Sequence, residues 1–466
     1  MNQETIDNLL GTEAQWESKE RLMSRLSDIS KIQPGMNKGG IPLVYDGHTA
    51  YVDAEDSHTL IIGSTGSKKT RLVVMPTVKL LGHAGESMII SDPKAEVYNR
   101  TAREMAEQGY QIRVINFRNP SVGDCWNPLA IPYAFYQQGD IDRACEFVND
   151  IAGNLILSEV SKADPFWDYC ASDLLFGLIM LAFKLNKNAK GVSIRTILQL
   201  RQKMFDNNGN VDRGLRSQAS MDALIYSSLV GTLNAPEKTR TSILAVFDQK
   251  MRCFMYQKNL TEMMDENTIS LDDIGEEKTI FYLIMPDEKT TYHRLAALFI
   301  KQSYEYLIYL AQATGVGSFK IRINYMLDEF SSLPTIKDFP TMISAARSRN
   351  IRFNLVVQSQ SQLKSRYHEE AETIKSNCNN WIYLTSRELD LLEEISNLCG
   401  EKADGKPLLS VSALQHLDKN QGQALVLCGR LFPYITQLED INSYDNGTFQ
   451  VLPLKEREVC QVMTEA

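Results

Sequence analysis

The sequence predicts an α/β fold, with a parallel-rich central sheet flanked by helices and interrupted by an inserted all-α domain. Short apolar, β-branched runs alternate with helix-compatible runs early and late in the chain, which is typical of parallel strands joined by crossover helices. The middle of the chain has long helical runs and almost no alternating strand pattern. The alternation of strands and helices predicts the sheet, and the helical middle predicts the insert.

The first part of the predicted sheet precedes the insert. Its strands are apolar runs bounded by polar or turn residues, and helices lie between the second, third and fourth strands. The strands are expected at 41–45, 58–63, 87–91 and 112–117, and the helices at 70–81 and 95–108. A short amphipathic helix is expected earlier, at 16–26.

The insert and the second part of the sheet follow. The expected helices of the insert are 140–157, 166–185, 193–204, 217–233 and 238–254. The strands that follow are expected at 278–286, 321–327, 351–358 and 381–385, with helices at 292–313, 336–348, 371–376 and 388–399. A Gly-Arg pair between two β-rich runs indicates a hairpin at 423–438.

The length of 466 residues predicts two or three folded units. The expected division is an N-terminal polar segment, a nucleotide-binding domain in two parts, and the all-α insert between those parts. The boundaries are 1–40 for the polar segment, 41–130 and 269–466 for the two parts, and 131–268 for the insert.

Charge and composition exclude several classes of protein. With 49 Lys and Arg against 58 Asp and Glu, the net charge is −9, so any nucleic-acid contact must come from a local patch or an assembled channel. The eight cysteines form no CxxC pair, which argues against a zinc site or a disulfide framework. No apolar run reaches the roughly 18 residues of a membrane span, and the N-terminus shows no signal-peptide pattern. A soluble intracellular protein is expected.

A glycine-rich segment between a predicted strand and a predicted helix is the strongest local signal. GSTGSKKT approximates the phosphate-loop pattern GxxxxGK[ST], in which backbone N–H groups hold phosphates, a lysine reaches the β/γ oxygens and a Ser/Thr hydroxyl holds Mg²⁺. Lys69 and Thr70 stand at the offsets for the last two roles. The alternative is a polar strand-to-helix turn. The candidate binding residues are Gly63, Ser64, Thr65, Gly66, Ser67, Lys68, Lys69 and Thr70.

Lys68 stands where the pattern has its second glycine. Glycine there tolerates a positive φ and lets the backbone approach the phosphates. A lysine either accepts a positive φ at a cost of about 1 kcal/mol or more, or the loop is reshaped.

Two later strands end in polar residues that suit the same chemistry. Asp328 and Glu329 follow an apolar strand, where an acidic residue can coordinate Mg²⁺ and a glutamate can polarise the attacking water. Gln358 ends the following strand, where a side chain can sense a γ-phosphate or the lytic water. The alternatives are an ordinary solvated strand end and a Gln-rich loop. Together with the phosphate-loop segment, these residues favour an ATPase that uses ATP and Mg²⁺.

Arg347 and Arg349 have two interpretations. They can act as an arginine finger on a neighbouring subunit's nucleotide, or they can cap a helix C-terminus. The whole insert separates Lys69 from Asp328, which excludes small GTPases and nucleotide kinases.

Several segments, in order along the chain, resemble the coupling proteins of type IV secretion systems, the conjugative TraG/TraD-type DNA-transfer ATPases. The resemblance covers about residues 40–440. The segments that carry it are 63–71, 90–98, 125–129, 164–175, 238–247 and, as the longest and most specific, 327–367.

The resemblance implies a RecA-like ATPase whose all-α domain receives substrate. It implies nucleotide and Mg²⁺ binding by Lys69 and Thr70, a metal role for Asp328 and a catalytic acid role for Glu329. It also implies that Gln358 senses the γ-phosphate. The segment with Arg347 and Arg349 matches the family's inter-subunit arginine.

The resemblance further implies partners and a location. The partners are DNA, single-stranded and with a relaxase, secretion-channel components, and identical subunits in a hexamer. The location is cytoplasmic, with membrane contact only through partners, because the family's N-terminal transmembrane helices have no counterpart here. Lys68 motivates one alternative, a nucleotide-binding adaptor that does not hydrolyse. A soluble DNA-remodelling ATPase of a mobile element is another.

Overall fold

The computed structural model describes residues 13–157, 164–188, 191–206, 208–445 and 450–457. The described residues fall into two compact units. One is drawn from Met1–Ile112, Asp272–Ile284 and Ile308–Pro453, and the other from Arg113–Leu271, Met285–Leu307 and Leu454–Ala466. In the predicted division, 285–307 and the C-terminal residues belong to the nucleotide-binding domain. That division into functional domains stays a prediction.

Twelve strands are present in the described residues. They are β1 (Ser27–Asp28), β2 (Ile41–Tyr45), β3 (Ala50–Asp53), β4 (Thr59–Gly63), β5 (Ser87–Asp92), β6 (Gln111–Asn116), β7 (Thr279–Ile284), β8 (Ile323–Leu327), β9 (Ile351–Val357), β10 (Asn380–Thr385), β11 (Gln423–Cys428) and β12 (Tyr434–Gln437). Nine of them form one sheet in the order β12-β11-β10-β4-β9-β8-β5-β7-β6.

The centre of this sheet is parallel, which confirms the predicted fold class. The run β10-β4-β9-β8-β5-β7 pairs in parallel throughout. Its central strands β4, β5, β7, β8 and β9 are buried along their whole length, as expected of a sheet covered on both faces. The predicted hairpin is also present, because β11 and β12 pair antiparallel.

The first predicted strand is present as β2, but its predicted place in the parallel sheet was wrong. β2 belongs to a separate antiparallel sheet, with order β1-β3-β2. The cause is the turn after it. The Asp46 side chain accepts hydrogen bonds from the N–H groups of His48 and Thr49, and Gly47 has a φ of +97°. This turn reverses the chain into β3 instead of leading it into a crossover helix.

The first unit carries the helices that connect its strands. A π-helical turn, Thr70–Val74, follows the loop after β4 and continues as an α-helix. The helices are α1 (Lys19–Arg25), α2 (Met75–Ala84) and α3 (Glu96–Glu107). Later in the chain come α14 (Phe339–Ala346), α15 (Gln360–Tyr367), α16 (Glu370–Asn377), α17 (Leu389–Cys399) and α18 (Val411–Gln415). Helix α15 was not predicted, although Ser359 caps it by accepting the N–H of Gln362.

The second unit is mainly helical, in line with the predicted insert. Its helices are α4 (Ala130–Gln138), α5 (Ile141–Ile156), α6 (Pro165–Leu185), α7 (Ile194–Met204), α8 (Arg213–Ser220), α9 (Ala223–Leu233), α10 (Glu237–Lys250), α11 (Arg252–Tyr256) and α12 (Lys258–Met263). The helix α13 (His293–Ala313) begins in this unit. The run predicted as one helix at 217–233 is two helices, because Asp222 caps α9 through the N–H groups of Leu224 and Ile225.

Helix α6 is long and apolar enough, by length and composition, to cross a membrane. It packs against α5, α7, α9 and α10, and the side chains from Leu174 to Phe183 are all buried. This burial is that of the central core helix of a folded domain.

A buried ionic network ties together the amino ends of three strands in the first unit. The Glu86 carboxylate lies 3.3 Å from an Arg352 nitrogen and 3.7 Å from an Arg322 nitrogen. It also accepts hydrogen bonds from Asn324 and from the N–H of Gly39. Burial lowers the pKa of Arg352 to about 10, and the neighbouring Arg322 charge acts in the same direction. The guanidinium stays charged at neutral pH, so Glu86 compensates a charge held away from water.

We expect Glu86→Ala to lower the free energy of unfolding by about 3–5 kcal/mol, because it leaves the buried Arg352 guanidinium without the carboxylate beside it. Arg322 would keep its ion pair with Asp56 at 2.7 Å. Lys31→Ala is the control. It breaks a pair with Asp28 in which the lysine is 81% exposed, and surface pairs contribute little. Urea denaturation of the two variants and the wild type measures both effects. If both variants lose the same small amount of unfolding free energy, the buried network has no structural role.

Candidate nucleotide-binding site

The candidate site lies along the carboxyl edge of the parallel strands. Because these strands run in the same direction, the residues that follow each of them meet at one edge of the sheet. The segment Gly63–Thr70 follows β4, Asp328 follows β8 and Gln358 follows β9. Asp92 ends β5 and Thr385 ends β10.

The glycine-rich segment forms a tight loop after β4. A Cβ atom at Gly63 would lie 2.5 Å from the Ser67 hydroxyl oxygen, so no larger residue fits without displacing the loop. Gly66 has a φ of +76°, and the Ser64 N–H donates to the Thr385 carbonyl at 2.9 Å. The Ser67 hydroxyl is buried without a hydrogen-bond partner in the described part of the chain. An unpaired polar atom inside such a loop suits a phosphate ligand.

Lys68 adopts the backbone conformation of the glycine it replaces. Its φ is +64°, and its side chain is exposed. Of the two outcomes that the sequence left open, the structure therefore shows the strained backbone and not a reshaped loop. The cost is about 1 kcal/mol or more.

Lys69 and Thr70 point toward the centre of the site. The Lys69 ammonium is largely buried and donates to the carbonyls of Gly63 at 2.5 Å and Ser64 at 3.3 Å. Burial lowers the pKa of Lys69, and the charges of Asp328 and Glu329 oppose that shift. The Thr70 hydroxyl donates to an Asp328 carboxylate oxygen at 3.1 Å. The two predicted motifs therefore meet through a direct contact.

A chain of hydrogen bonds continues from the acidic pair back to the loop. The Gln358 side-chain NH₂ donates to the Glu329 carboxylate at 3.0 Å, and its oxygen accepts from the Thr65 hydroxyl at 3.2 Å. Asp328 accepts the N–H of Glu329 at 2.9 Å. Burial, together with the charge of Glu329, raises the pKa of Asp328 to about 6. At neutral pH this carboxyl is therefore mainly ionised, as a Mg²⁺ ligand must be.

These residues fit a nucleotide phosphate and Mg²⁺. The loop offers N–H groups, the Lys69 ammonium and the unpaired Ser67 hydroxyl, while Thr70 and Asp328 offer oxygen ligands. The described residues hold no cluster of three or more His, Cys, Asp or Glu side chains. Mg²⁺ in such a setting takes one or two protein oxygens and completes its shell with phosphates and water.

Asp92 is a component of this edge to which the sequence analysis gave no role. It is buried at the end of β5, beside β8, and its carboxylate accepts the N–H of Tyr98 at 2.8 Å. Burial outweighs that hydrogen bond and raises the pKa of Asp92 to about 7, and the charge of Asp328 adds to the shift. The available signal was an aspartate two residues after the fully apolar run at 88–90.

The two arginines do not join the site within one chain. Arg347 and Arg349 precede β9, so they lie at its amino end, whereas Gln358 follows its carboxyl end. Arg349 donates to the carbonyl of Ala345 at 2.9 Å, which is the helix-capping interaction that the sequence left open. Arg347 is exposed.

A cavity of about 1040 Å³ opens beside the glycine-rich loop. Ser64 and Thr65 form part of its wall. The remaining lining comes from the segment after β10, including Arg387, and from residues 415–420 after α18. No sequence motif marks this region, so it was not predicted. The volume is large enough for a nucleoside.

The family model described as Type IV secretory system Conjugative DNA transfer matches residues 5–417. A conjugal transfer protein TraG of Escherichia coli is 24% identical over 387 residues, which is 79% of this chain and 59% of the relative. A VirD4 protein of Rhizobium rhizogenes is 23% identical over 374 residues, 79% of this chain and 53% of the relative. The chain thus spans a little over half of the length of these relatives.

Solved structures of the plasmid coupling protein TrwB resemble the fold. The complex with the ATP analogue ADPNP has a TM-score of 0.66 at 15% identity, with 96% of this chain and 95% of that chain covered. The complex with ADP and Mg²⁺ has a TM-score of 0.65 at the same identity and coverage. This likeness confirms the predicted α/β fold, with a mostly parallel sheet flanked by helices.

Lys68→Gly is expected to raise the free energy of unfolding by about 1 kcal/mol, because glycine adopts a positive φ without strain. Lys68→Ala is the matched control, since it removes the same charge but keeps a Cβ at the strained position. Urea denaturation of the three proteins distinguishes the causes. If both substitutions stabilise the protein equally, the Lys68 charge, and not the strained backbone, is the cause of the destabilisation.

Asp92→Asn is expected to change how stability depends on pH. The folded pKa of about 7 lies above the ordinary 3.8, so the protonated carboxyl stabilises the fold at low pH and that contribution is lost as the pH rises toward 7. The wild type should therefore lose stability relative to Asp92→Asn between about pH 4 and pH 7. Denaturation midpoints over that range measure the difference. A constant difference would show that Asp92 is ionised throughout.

Proposed function

Since the chain belongs to the type IV secretory system conjugative DNA transfer family, we propose that it is an ATP-driven coupling motor. It recruits DNA or DNA–protein substrates and delivers them to a type IV secretion channel. The family match confirms the resemblance found in the sequence. Relatives named TraG and VirD4 and the fold of the coupling protein TrwB support the proposal.

One observation carries the enzymatic part of this proposal. The hydroxyl of Thr70 contacts the carboxylate of Asp328, although the whole insert separates them in sequence. Thr65 and Glu329 bind the two ends of one Gln358 side chain. If 63–70 were only a polar turn and Asp328–Glu329 only a solvated strand end, these side-chain contacts between them would not be expected.

The site residues take the following roles in binding. The N–H groups of the loop and the Lys69 ammonium hold the phosphates, and Thr70 and Asp328 hold Mg²⁺. Bound Mg²⁺ supplies positive charge that stabilises the charge developing on the transferred phosphoryl group. The cavity beside Ser64 and Thr65 receives the nucleoside.

Glu329 and Gln358 act on the attacking water. The Glu329 carboxylate accepts a proton from that water, and Gln358 holds the carboxylate in place through its NH₂ group. Because the oxygen of Gln358 also contacts Thr65 in the loop, the orientation of Glu329 depends on the state of the loop. Catalysis in this class of enzyme relies on such positioning and on electrostatic stabilisation.

The assembled protein is a homo-hexamer in which Arg347 or Arg349 of one subunit reaches the nucleotide of the next. The placement of both arginines at the amino end of β9, away from their own loop, supports a role in trans. The DNA substrate is single-stranded and arrives with a relaxase. The protein works on the cytoplasmic side and contacts the membrane through channel components.

Two alternatives compete with the motor. The strained Lys68 backbone favours an adaptor that binds nucleotide and recruits substrates without hydrolysis. A DNA-remodelling ATPase of a mobile element would have the same site but no channel partner.

Steady-state ATP hydrolysis, with and without single- and double-stranded DNA, tests the motor. We expect turnover stimulated by DNA, and a loss of about 100-fold or more in Lys69→Ala and in Glu329→Gln, because each removes a group needed for the chemical step. Lys31→Ala, at an exposed site, should keep wild-type turnover.

Other outcomes identify the alternatives. If the protein binds nucleotide but hydrolyses none under any of these conditions, the motor proposal fails and the adaptor proposal takes its place. DNA-stimulated turnover without co-purification of membrane channel components would favour the DNA-remodelling ATPase.

A further inference from the structure

Glu388 directly precedes α17, but its side chain caps a neighbouring helix. In the described part of the chain, its carboxylate accepts no N–H group of α17. It accepts instead the N–H of Gln360 at 2.7 Å and the N–H of Ser361 at 3.3 Å, together with the Ser361 hydroxyl. These are the first two residues of α15. Neither the sequence motifs nor the proposed ATPase chemistry uses this carboxylate.

Helix α15 begins two residues after Gln358 and depends on its cap. The helix has eight residues, and helices this short are marginal in water without outside contacts. Its first N–H groups have no partner within the helix. The Ser359 hydroxyl accepts the N–H of Gln362 at 3.1 Å, and Glu388 accepts the two N–H groups before it. Because the helix dipole also favours a carboxylate at this end, Glu388 fixes the backbone directly after Gln358.

The segment that carries Glu388 is held against the phosphate loop. The carbonyl of Thr385 accepts the Ser64 N–H at 2.9 Å. Ser386 is buried, and its N–H donates to the hydroxyl of the buried Tyr383 at 2.8 Å. The Ser386 hydroxyl accepts the N–H of Glu388 at 3.1 Å. Glu388 therefore reaches α15 from a support that also contacts the loop.

Gln358 has to be placed accurately, because its amide has two partners. Its NH₂ group contacts Glu329 and its oxygen contacts Thr65, so a shift of the backbone breaks one contact or the other. The strand β9 ends at Val357, and Gln358 itself is only half-buried. The sheet therefore holds the backbone up to the residue before Gln358, and the cap of α15 holds it from the other side.

We propose that Glu388 is a positioning residue for ATP hydrolysis. By capping α15 it fixes the backbone of Gln358, and through the Gln358 amide it orients the Glu329 carboxylate toward the attacking water. Glu388 itself does not touch the nucleotide. This inference rests on the proposed function, because it assigns a further residue to the same hydrolysis step. A misplacement of about 1 Å in such a site can lower the rate by about 100-fold.

Steady-state ATP hydrolysis by Glu388→Gln tests this role, because the substitution keeps the size of the side chain but removes its charge and one acceptor oxygen. We expect kcat to fall by about 10- to 100-fold. The KM for ATP and the affinity for ADP, measured by calorimetry, should stay at wild-type values, because the lost interaction acts only on the chemical step.

Glu393→Gln is the matched control. Glu393 is an exposed residue of α17, and its substitution removes the same charge from the same helix. Its kcat should equal that of the wild type. If Glu393→Gln loses as much activity as Glu388→Gln, the charge of α17 and not the cap of α15 is responsible.

A double-mutant cycle separates positioning from a general loss of stability. Gln358→Ala alone should lower kcat, and adding Glu388→Gln to it should cause little further loss, because Glu388 acts through the Gln358 amide. Hydrogen exchange of the nucleotide-free protein gives a readout that is independent of turnover. The backbone at 359–362 should exchange faster in Glu388→Gln than in the wild type and in Glu393→Gln.

Three further results would overturn the proposal. They are an unchanged kcat in Glu388→Gln, an additive loss in the double variant, and faster exchange that spreads over the first unit instead of staying within 359–362. The wild type separates this failure from that of the motor. If the wild type and Glu388→Gln hydrolyse ATP equally well, only the role of Glu388 is lost. If the wild type hydrolyses none, the motor and this role fail together.

Discussion

The hydrogen bond between the Thr70 hydroxyl and the Asp328 carboxylate is the contact on which the candidate site depends. It joins two motifs that the chain separates by the entire helical unit. The contact follows from the order of the strands, because β9 lies between β4 and β8. That order also places Gln358, at the end of β9, between the loop and the acidic pair. The polar chain from Thr65 to Glu329 is therefore a consequence of the sheet topology.

Local patterns in the sequence were sufficient for most elements and for the two motifs. Apolar runs located the parallel strands, and the spacing in 63–70 located the phosphate loop. What the sequence did not show depends on tertiary context. Strand order, the antiparallel position of β2 and the raised pKa of Asp92 arise from neighbours distant along the chain. The cavity beside the loop has no motif because it is formed by the ends of elements that meet only in the folded protein.

Three non-glycine residues with a positive φ lie at the carboxyl edge of the sheet. Lys68, Ala95 and Glu329 have positive φ values of 64°, 59° and 54°. They follow β4, β5 and β8, the strands that carry the phosphate loop, Asp92 and Asp328. Such conformations cost of order 1–3 kcal/mol each and persist where the surrounding structure holds them in place. The buried parallel strands supply that support.

The two ends of the sheet are built differently. The network of Glu86, Arg322 and Arg352 lies at the amino ends of β5, β8 and β9, opposite the strained loops. A slip of β9 by one residue would move Arg352 by about 3.3 Å and separate it from Glu86 and from Asn324. The network therefore fixes the register of β9 relative to β8 and β5. The strands that carry the loops of the candidate site are thereby held in register from the opposite end of the sheet.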